Sequence, residues 1–265
     1  MNIKEYPAES CRGYYADGQP AYTIVGKNGK ERNITLADMK ILNIYPSVTE
    51  ILKIYPKPYL QLWKQRQVLM SALTLTRLKD ESDDALIARI MADADEQARI
   101  AREKGQAIHG AMERFICGQE VQAEYYIYVG AAINVLQDYL GEKMLLSQCE
   151  PEKSFACPDL LYGGKVDLFS RELRFVCDIK SSEFTEDKTL GYQEHIIQLS
   201  AYSHGLQMPD ARIINLYIST KKPGLIKIIE YSKDQQCNAF AIFKKCLELW
   251  QLLKKYPIGG IYNDA

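Results

Sequence analysis

Between Gly163 and Lys180 the chain reads GGKVDLFSRELRFVCDIK, and its apolar and polar positions alternate with the two-residue period of a strand. Two strands are predicted, Lys165–Phe169 and Arg174–Lys180, joined by a tight connection near Ser170–Leu173. On the second strand Leu173, Phe175, Cys177 and Ile179 share an apolar face, while Asp178 and Lys180 share the other. With the turn near Arg171 and Glu172, Asp167 falls on that polar face, diagonal to Asp178. Acidic residues and lysine are seldom buried unless paired or ligated, so this cluster points to a divalent-metal site.

The same pattern predicts the other elements. Tyr22–Val25 and Asn33–Leu36 flank Lys27-Asn28-Gly29-Lys30, an Asn-Gly hairpin signal, giving an N-terminal hairpin or lid. A helix opens after Tyr45-Pro46 with Ser47 as N-cap and Glu50 completing a capping box, and Pro56 and Pro58 end it. A second helix carries Leu60, Trp63, Gln67, Met70 and Leu73 at helical spacing. Its Lys53, Lys57, Lys64 and Arg66 are either phosphate contacts or a solvated face. Ser82 caps a long helix reaching about Phe115, in which Gly105 and Gly110 flank His109 and suggest close approach of a backbone or a ligand. His109 and Glu113, four apart, share a face. A further helix covers 125–140. Then come strands at 146–156, 162–170 and 173–180, a helix at 188–207, strands at 212–219 and 225–231, and a helix at 232–255. Gln198 and Tyr202 share one face of the 188–207 helix, with Ile197, Leu199 and Leu206 turned to the core. This order argues for an α/β sheet with helices on its faces.

Composition changes the picture little. The 265 residues have a formal net charge of −1, so any nucleic-acid contact must be local, without the basic excess such binders often show. Seven scattered cysteines without a C-x-x-C pair disfavour zinc ribbons and suit a reducing compartment, and a cytoplasmic location is expected. The first residues lack a signal-peptide pattern, and no apolar run is long enough for a membrane span. A Gly-rich phosphate loop and a dinucleotide fingerprint are both missing, which disfavours nucleotide-driven motors and dehydrogenases.

Taken together, His109, Gly164-Lys165-Val166-Asp167, Asp178-Ile179-Lys180 and Gln198…Tyr202 resemble the ordered motifs of the PD-(D/E)XK nuclease superfamily, and within it the RecB-like exonucleases. Pro46-Ser47-Val48-Thr49, the Lys57…Leu60…Trp63 run and Gly105…His109 are similar to the subgroup that includes the mitochondrial genome maintenance exonuclease and phage-type relatives. The resemblance spans roughly Tyr45 to Leu206. Val166 stands where the wider family has proline, as is common among RecB-like members. The iron–sulfur subgroup places a close set of cysteines after the core; here Cys237 and Cys246 stand alone there, so no cluster is expected.

The resemblance implies a restriction-endonuclease-like αβββαβ core with a mixed central sheet and a long helical N-terminal region. The expected organisation is a lid at 1–45, a helical region at 46–140 and a nuclease core at 141–265 integrated with it. It implies Mg²⁺ or Mn²⁺ held by Asp167, Asp178 and the Ile179 carbonyl, with a His109 nitrogen tilting preference toward Mn²⁺. Lys180 would orient water or stabilise the phosphorane, and Gln198 and Tyr202 would position the lysine, the water or the DNA. Glu113 is either a support to His109 or a plain surface acid; Glu152 is not taken as a ligand. Tyr55, Tyr59 and Trp63 either stack bases or merely pack helices, and Lys57 and Lys64 complete the candidate DNA contacts. The expected activity is DNA exonuclease action on single-stranded or free ends, leaving 5′-phosphates, with a recombination or single-strand-binding protein as a plausible partner. The alternatives are a structure-specific or restriction-type endonuclease, a non-catalytic DNA-binding module, and a structural α/β protein in which the cluster is coincidence.

Overall fold

The computed structural model describes residues 11–141 and 148–256. Four short strands come first: β1 (Gly13–Tyr14), β2 (Pro20–Ala21), β3 (Thr23–Val25) and β4 (Glu31–Asn33). β3 and β4 form the expected hairpin, with Gly29 in the left-handed region at φ +72°. Its second arm ends at Asn33, short of the predicted Leu36. Thr35 instead caps an unexpected helix, α1 (Leu36–Leu42). The Asp38 carboxylate returns a bond from the Thr35 N–H at 2.8 Å and is clamped by both terminal nitrogens of Arg32. A capping box is ordinarily read from Glu or Gln at the third helical position, and Asp in that place hid the signal.

β5 (Tyr45–Pro46) and β2 flank β1 in a small antiparallel sheet. The helix predicted after Pro46 is one turn, α2 (Val48–Ile51), followed by a 3₁₀ turn at Leu52–Ile54. Ser47 accepts the Glu50 N–H at 3.0 Å as expected, while the Glu50 carboxylate pairs with Lys53 at 2.8 Å. Three helices follow: α3 (Pro58–Thr74), α4 (Asp83–Ile116) and α5 (Tyr126–Leu140). Pro58 begins α3 at a position where its missing N–H costs nothing. The apolar residues picked out on α3 do not make a buried stripe: Leu60, Met70 and Leu73 face solvent, along with Leu62 and Leu69. α3 packs against α4, with Trp63 and Gln67 half-buried and the buried Ser71 donating to Asp93 at 2.7 Å.

The remainder is a five-stranded mixed sheet with helices on its faces. β6 (Glu150–Cys157), β7 (Tyr162–Ser170) and β8 (Phe175–Ser182) are successive antiparallel strands; α6 (Gln193–Gly205) crosses to β9 (Arg212–Ser219), parallel to β8. β10 (Ile226–Glu230) pairs antiparallel with β9, and α7 (Lys233–Lys254) ends the series. The sheet order is β10-β9-β8-β7-β6. The fold is thus mixed α/β, and α4, β6–β8, α6 and β9 follow the expected αβββαβ order. Part of the strand predicted from 146 lies outside the described residues, and β6 starts at Glu150. α6 starts five residues later than predicted because Gly191 (φ +94°) and the extended Tyr192 precede it.

Two apolar layers sandwich the sheet. Ile197, Leu199, Phe243 and Trp250 of α6 and α7 cover Val176 and Ile213. Ile108, Met112, Val129 and Leu136 of α4 and α5 cover Phe175, Cys177, Ile179 and Leu216, so the apolar face predicted for β8 is the one buried under α4. The Phe155 ring of β6 is wedged where two glycines leave room. A Cβ on Gly164 would lie 2.8 Å from that ring and 2.9 Å from Tyr202, and one on Gly205 about 2.1 Å from the ring. This gives the Gly-x-x-Asp glycine a packing reason: it lets Tyr202 settle beside β7. Overpacking a tight core typically costs ~1–3 kcal/mol. Gly205→Ala should therefore lower the thermal midpoint by several degrees, and adding Phe155→Leu should recover part of the loss; unfolding followed by circular dichroism measures both.

Candidate active site

β7 and β8 pair at Ser170–Phe175, Phe169–Val176 and Leu168–Cys177, and then part. One step further, Asp167 would stand directly across from Asp178, not diagonal to it as the predicted turn suggested. At the parting, the Asp167 side chain replaces the missing strand partner: its Oδ2 accepts the Ile179 N–H at 2.6 Å. A strand residue's N–H and C=O project from the same edge, so the Ile179 carbonyl also faces this gap.

The gap opens into a pocket of about 570 Å³. Asp167, Asp178, Ile179 and Lys180 form its floor; His109, Gly110 and Glu113 of α4 form one wall, and Gln198 and Tyr202 of α6 another. All the catalytic, metal-binding and supporting residues expected from the sequence are therefore brought to one cavity. None of the expected DNA contacts Lys57, Tyr59, Trp63 and Lys64 lines the pocket; Trp63 and Lys64 lie along α3, and Lys64 is exposed. Tyr59 lies on the first turn of α3, and Lys57 caps that helix. Gly105 does mark a close approach, since a Cβ there would be 2.7 Å from Ser181 Oγ on β8. Gly110 does not: the nearest atom to a Cβ there is Arg114 Nη1, at an ordinary 3.5 Å.

Asp178 is 2% exposed and fully hydrogen-bonded. Lys180 Nζ donates to its Oδ1 at 3.0 Å and lies 2.7 Å from Oδ2, Gln198 Nε2 donates to Oδ1 at 3.1 Å, and Asn215 Nδ2 donates to Oδ2 at 2.8 Å. Gln198 also accepts from Lys180 at 3.2 Å and donates to the Tyr202 hydroxyl at 2.7 Å. Asn215, which pairs with Asp178 in register on β9, accepts the Tyr231 hydroxyl at 2.7 Å. Burial, assisted by the charge of Asp167, pushes the Asp178 carboxyl up to about 7 against the opposing pull of Lys180 and Asn215. Burial draws Lys180 down, but Asp178 and Asp167 outweigh it and hold the ammonium above its usual range. Burial lowers His109, with Lys180 reinforcing and Asp167 opposing, so its imidazole is neutral and able to ligate; Nδ1 lies 3.7 Å from Asp167 Oδ2.

Several pocket residues were given no site role from the sequence. Arg12, Tyr14 and Tyr22 come from the N-terminal segment, which contributes to the pocket wall; Arg102 and Gln106 come from α4, and Thr49 from α2. Glu152 and Lys165 pair with each other and line the cavity. Glu152 falls across from Asp167, between the pairs Pro151–Leu168 and Lys153–Val166. The row Glu152, Asp167, Asp178, Asn215 thus crosses four strands. Asn215 could have been found: it is a lone polar residue in the apolar run Ile213-Ile214-Asn215-Leu216. The N-terminal residues carry no such signal.

The donor set suits a hard divalent cation: carboxylate oxygens from Asp167 and Asp178, a backbone carbonyl from Ile179, and a neutral imidazole. Two features oppose it. Among the described residues no three His, Cys, Asp or Glu side chains stand close enough together to hold a metal, and Lys180 already occupies Asp178.

Beside the pocket, His195 Nδ1 bonds the Tyr217 hydroxyl at 2.7 Å. Burial, reinforced by Lys180 and Lys57, presses its pKa down to about 2. A depressed histidine stabilises the fold above the unfolded-state pKa near 6.5 and loses that contribution as pH falls. Between pH 6.5 and 5 the loss is about 2 kcal/mol. A His195→Gln variant should show a correspondingly flatter decline in urea midpoint over that interval, with denaturant titrations at each pH as the measurement.

No protein-family model and no curated protein matches this chain. Among solved structures it is similar to the protein named SSO0001, at 14% identity and a TM-score of 0.31, covering 73% of this chain and 86% of that one. It is also similar to a protein from Eubacterium rectale named, provisionally, an exonuclease, at 14% identity and a TM-score of 0.40, covering 83% of each chain. Likenesses this distant carry no argument about function. Among the described residues, no helix is long and apolar enough to cross a membrane.

Proposed function

We propose that this chain is a divalent-metal-dependent nuclease that hydrolyses phosphodiester bonds of DNA from single-stranded ends, leaving 5′-phosphates. The observation that carries the reading is the meeting of Asp167, Asp178, Lys180 and Gln198 in one pocket at the parting of β7 and β8. Asp167, Asp178, the Ile179 carbonyl and His109 would hold Mg²⁺ or Mn²⁺. Such a cation activates water and neutralises charge developing on a phosphate.

The chain's own residues divide the remaining work. Lys180, kept cationic by Asp178 and Asp167, is a donor for a phosphate oxygen and not a base. Gln198 bridges Asp178 and Lys180, so it can hold the ammonium in place when the carboxylate turns toward a cation. Tyr202 steadies Gln198 from the next helical turn. Arg12 and Arg102 line the pocket with positive charge for flanking phosphates. Preference for ends rests on the motif resemblance.

A second reading, a DNA-binding module without catalysis, is favoured by the saturated hydrogen bonding of Asp178 and by the wide spacing of the acidic and histidine groups. End-labelled linear and circular DNA, incubated with Mg²⁺, Mn²⁺ or EDTA, separates the two. The nuclease shortens linear strands with metal and not in EDTA. Asp178→Ala and Lys180→Ala should each slow this by at least roughly a hundredfold, the scale for removing one transition-state contact. Nicking of circles would replace the exonuclease with an endonuclease, and binding without cleavage in any metal would leave the module.

A further inference from the structure

Tyr217 of β9 sits in register with Lys180 of β8, so one aromatic ring adjoins the proposed reaction centre within the sheet. From it a series of rings runs outward. The His195 ring lies 5.8 Å from Tyr217 between centroids, Tyr192 lies 5.3 Å from His195 at 85°, and Tyr59 lies 5.0 Å from Tyr192. The inner end is fixed, since Tyr217 is buried in the sheet and hydrogen-bonded to His195. The outer end is open: Tyr59 is 62% exposed. An aromatic this exposed gains little by packing, yet this one is backed by a second ring and set at the start of a helix whose first residue is proline. Lys57 precedes it, half-buried, within electrostatic reach of Lys180, Lys53 and the counter-charge Glu194.

An exposed ring braced by a neighbour tilted at 52°, with a lysine two residues before it, suits an unpaired nucleobase and its phosphate. We infer that the open face of Tyr59, backed by Tyr192, is a stacking subsite for one unpaired base of the strand whose phosphate lies at Lys180, and that Lys57 pairs with a phosphate next to that base. The inference rests on the reading of the pocket as a phosphodiester site. It adds Tyr192 and His195, which have no part in the hydrolytic machinery, as the mount that sets the ring's angle. The competing role is mechanical, with Tyr59 and Tyr192 simply pinning the start of α3 to the start of α6.

Equilibrium binding of fluorescent single-stranded DNA in EDTA separates these roles, using the full-length chain and a set of oligonucleotides in which one base at a time is removed to leave an abasic sugar. Tyr59→Leu should bind the intact strand roughly ten- to a hundredfold more weakly, and Tyr59→Phe should bind as the wild type does. At one abasic position the wild type should weaken to the level of Tyr59→Leu, and the variant should lose nothing further. Lys57→Gln should lower the slope of log affinity against log salt by about 0.7, the release expected for one single-strand phosphate contact. Equal loss by Tyr59→Leu on intact and on every abasic strand would assign the pair to pinning α3 and overturn the subsite, as would no loss at all. The nuclease reading fails separately: a wild type that never cleaves, yet shows base-dependent binding at Tyr59, keeps the subsite and removes the hydrolysis. Cleavage with no base dependence at Tyr59 does the reverse.

Discussion

A carboxylate stands in for a strand at the centre of this fold. The Asp167 oxygen that takes the Ile179 N–H satisfies a backbone donor that the parting of β7 and β8 would otherwise leave without a partner. That bond lets the ladder stop after Leu168 and Cys177 without an orphaned buried group. Everything the pocket needs follows from the stop: the Ile179 carbonyl turned to the gap, Asp178 and Lys180 on its floor, and space for α4 to bring His109 down. Gly105 eases that approach, because a methyl there would crowd the Ser181 hydroxyl as it now stands.

Around that opening the polar residues are ordered as a row across the sheet. Asn215, fully buried, holds one oxygen of Asp178 and is held in turn by Tyr231. Gln198 and Lys180 occupy the other side. A buried polar network is stable when every member is satisfied, and this one is, at the expense of a carboxyl whose acidity burial has weakened.

Much of this was legible in the sequence because the informative elements are short strands with strict alternation and helices with clear caps. The β7–β8 hairpin, the long α4 and the placement of Gln198 with Tyr202 follow from periodicity and spacing alone. What could not be read depended on contacts between distant segments. Arg12, Tyr14 and Tyr22 reach the pocket because β1 lies beside β7, with the Tyr14 ring filling the place a Gly163 side chain would take. No local pattern encodes that. Helix α1 was hidden by an unusual capping residue. α3 misled for the opposite reason: its helical apolar spacing is real, but Leu62, Leu69 and Leu73 project away from the helix it packs on. Periodicity fixes the conformation there and says nothing about which face is covered.

α4 also has the proportions of a lever. It runs unbroken from Asp83 to Ile116, and its contact with β8 at Gly105–Ser181 lies close to His109. At about 1.5 Å per residue, the Asp83 end, which α3 and the Arg77–Asp83 pair hold, is roughly 33 Å from that contact, and His109 is roughly 6 Å beyond it. A tilt of the rod would be geared down about fivefold between tip and ring. On a rigid rod of these proportions, a displacement of several ångströms at the far end would correspond to about one at the histidine.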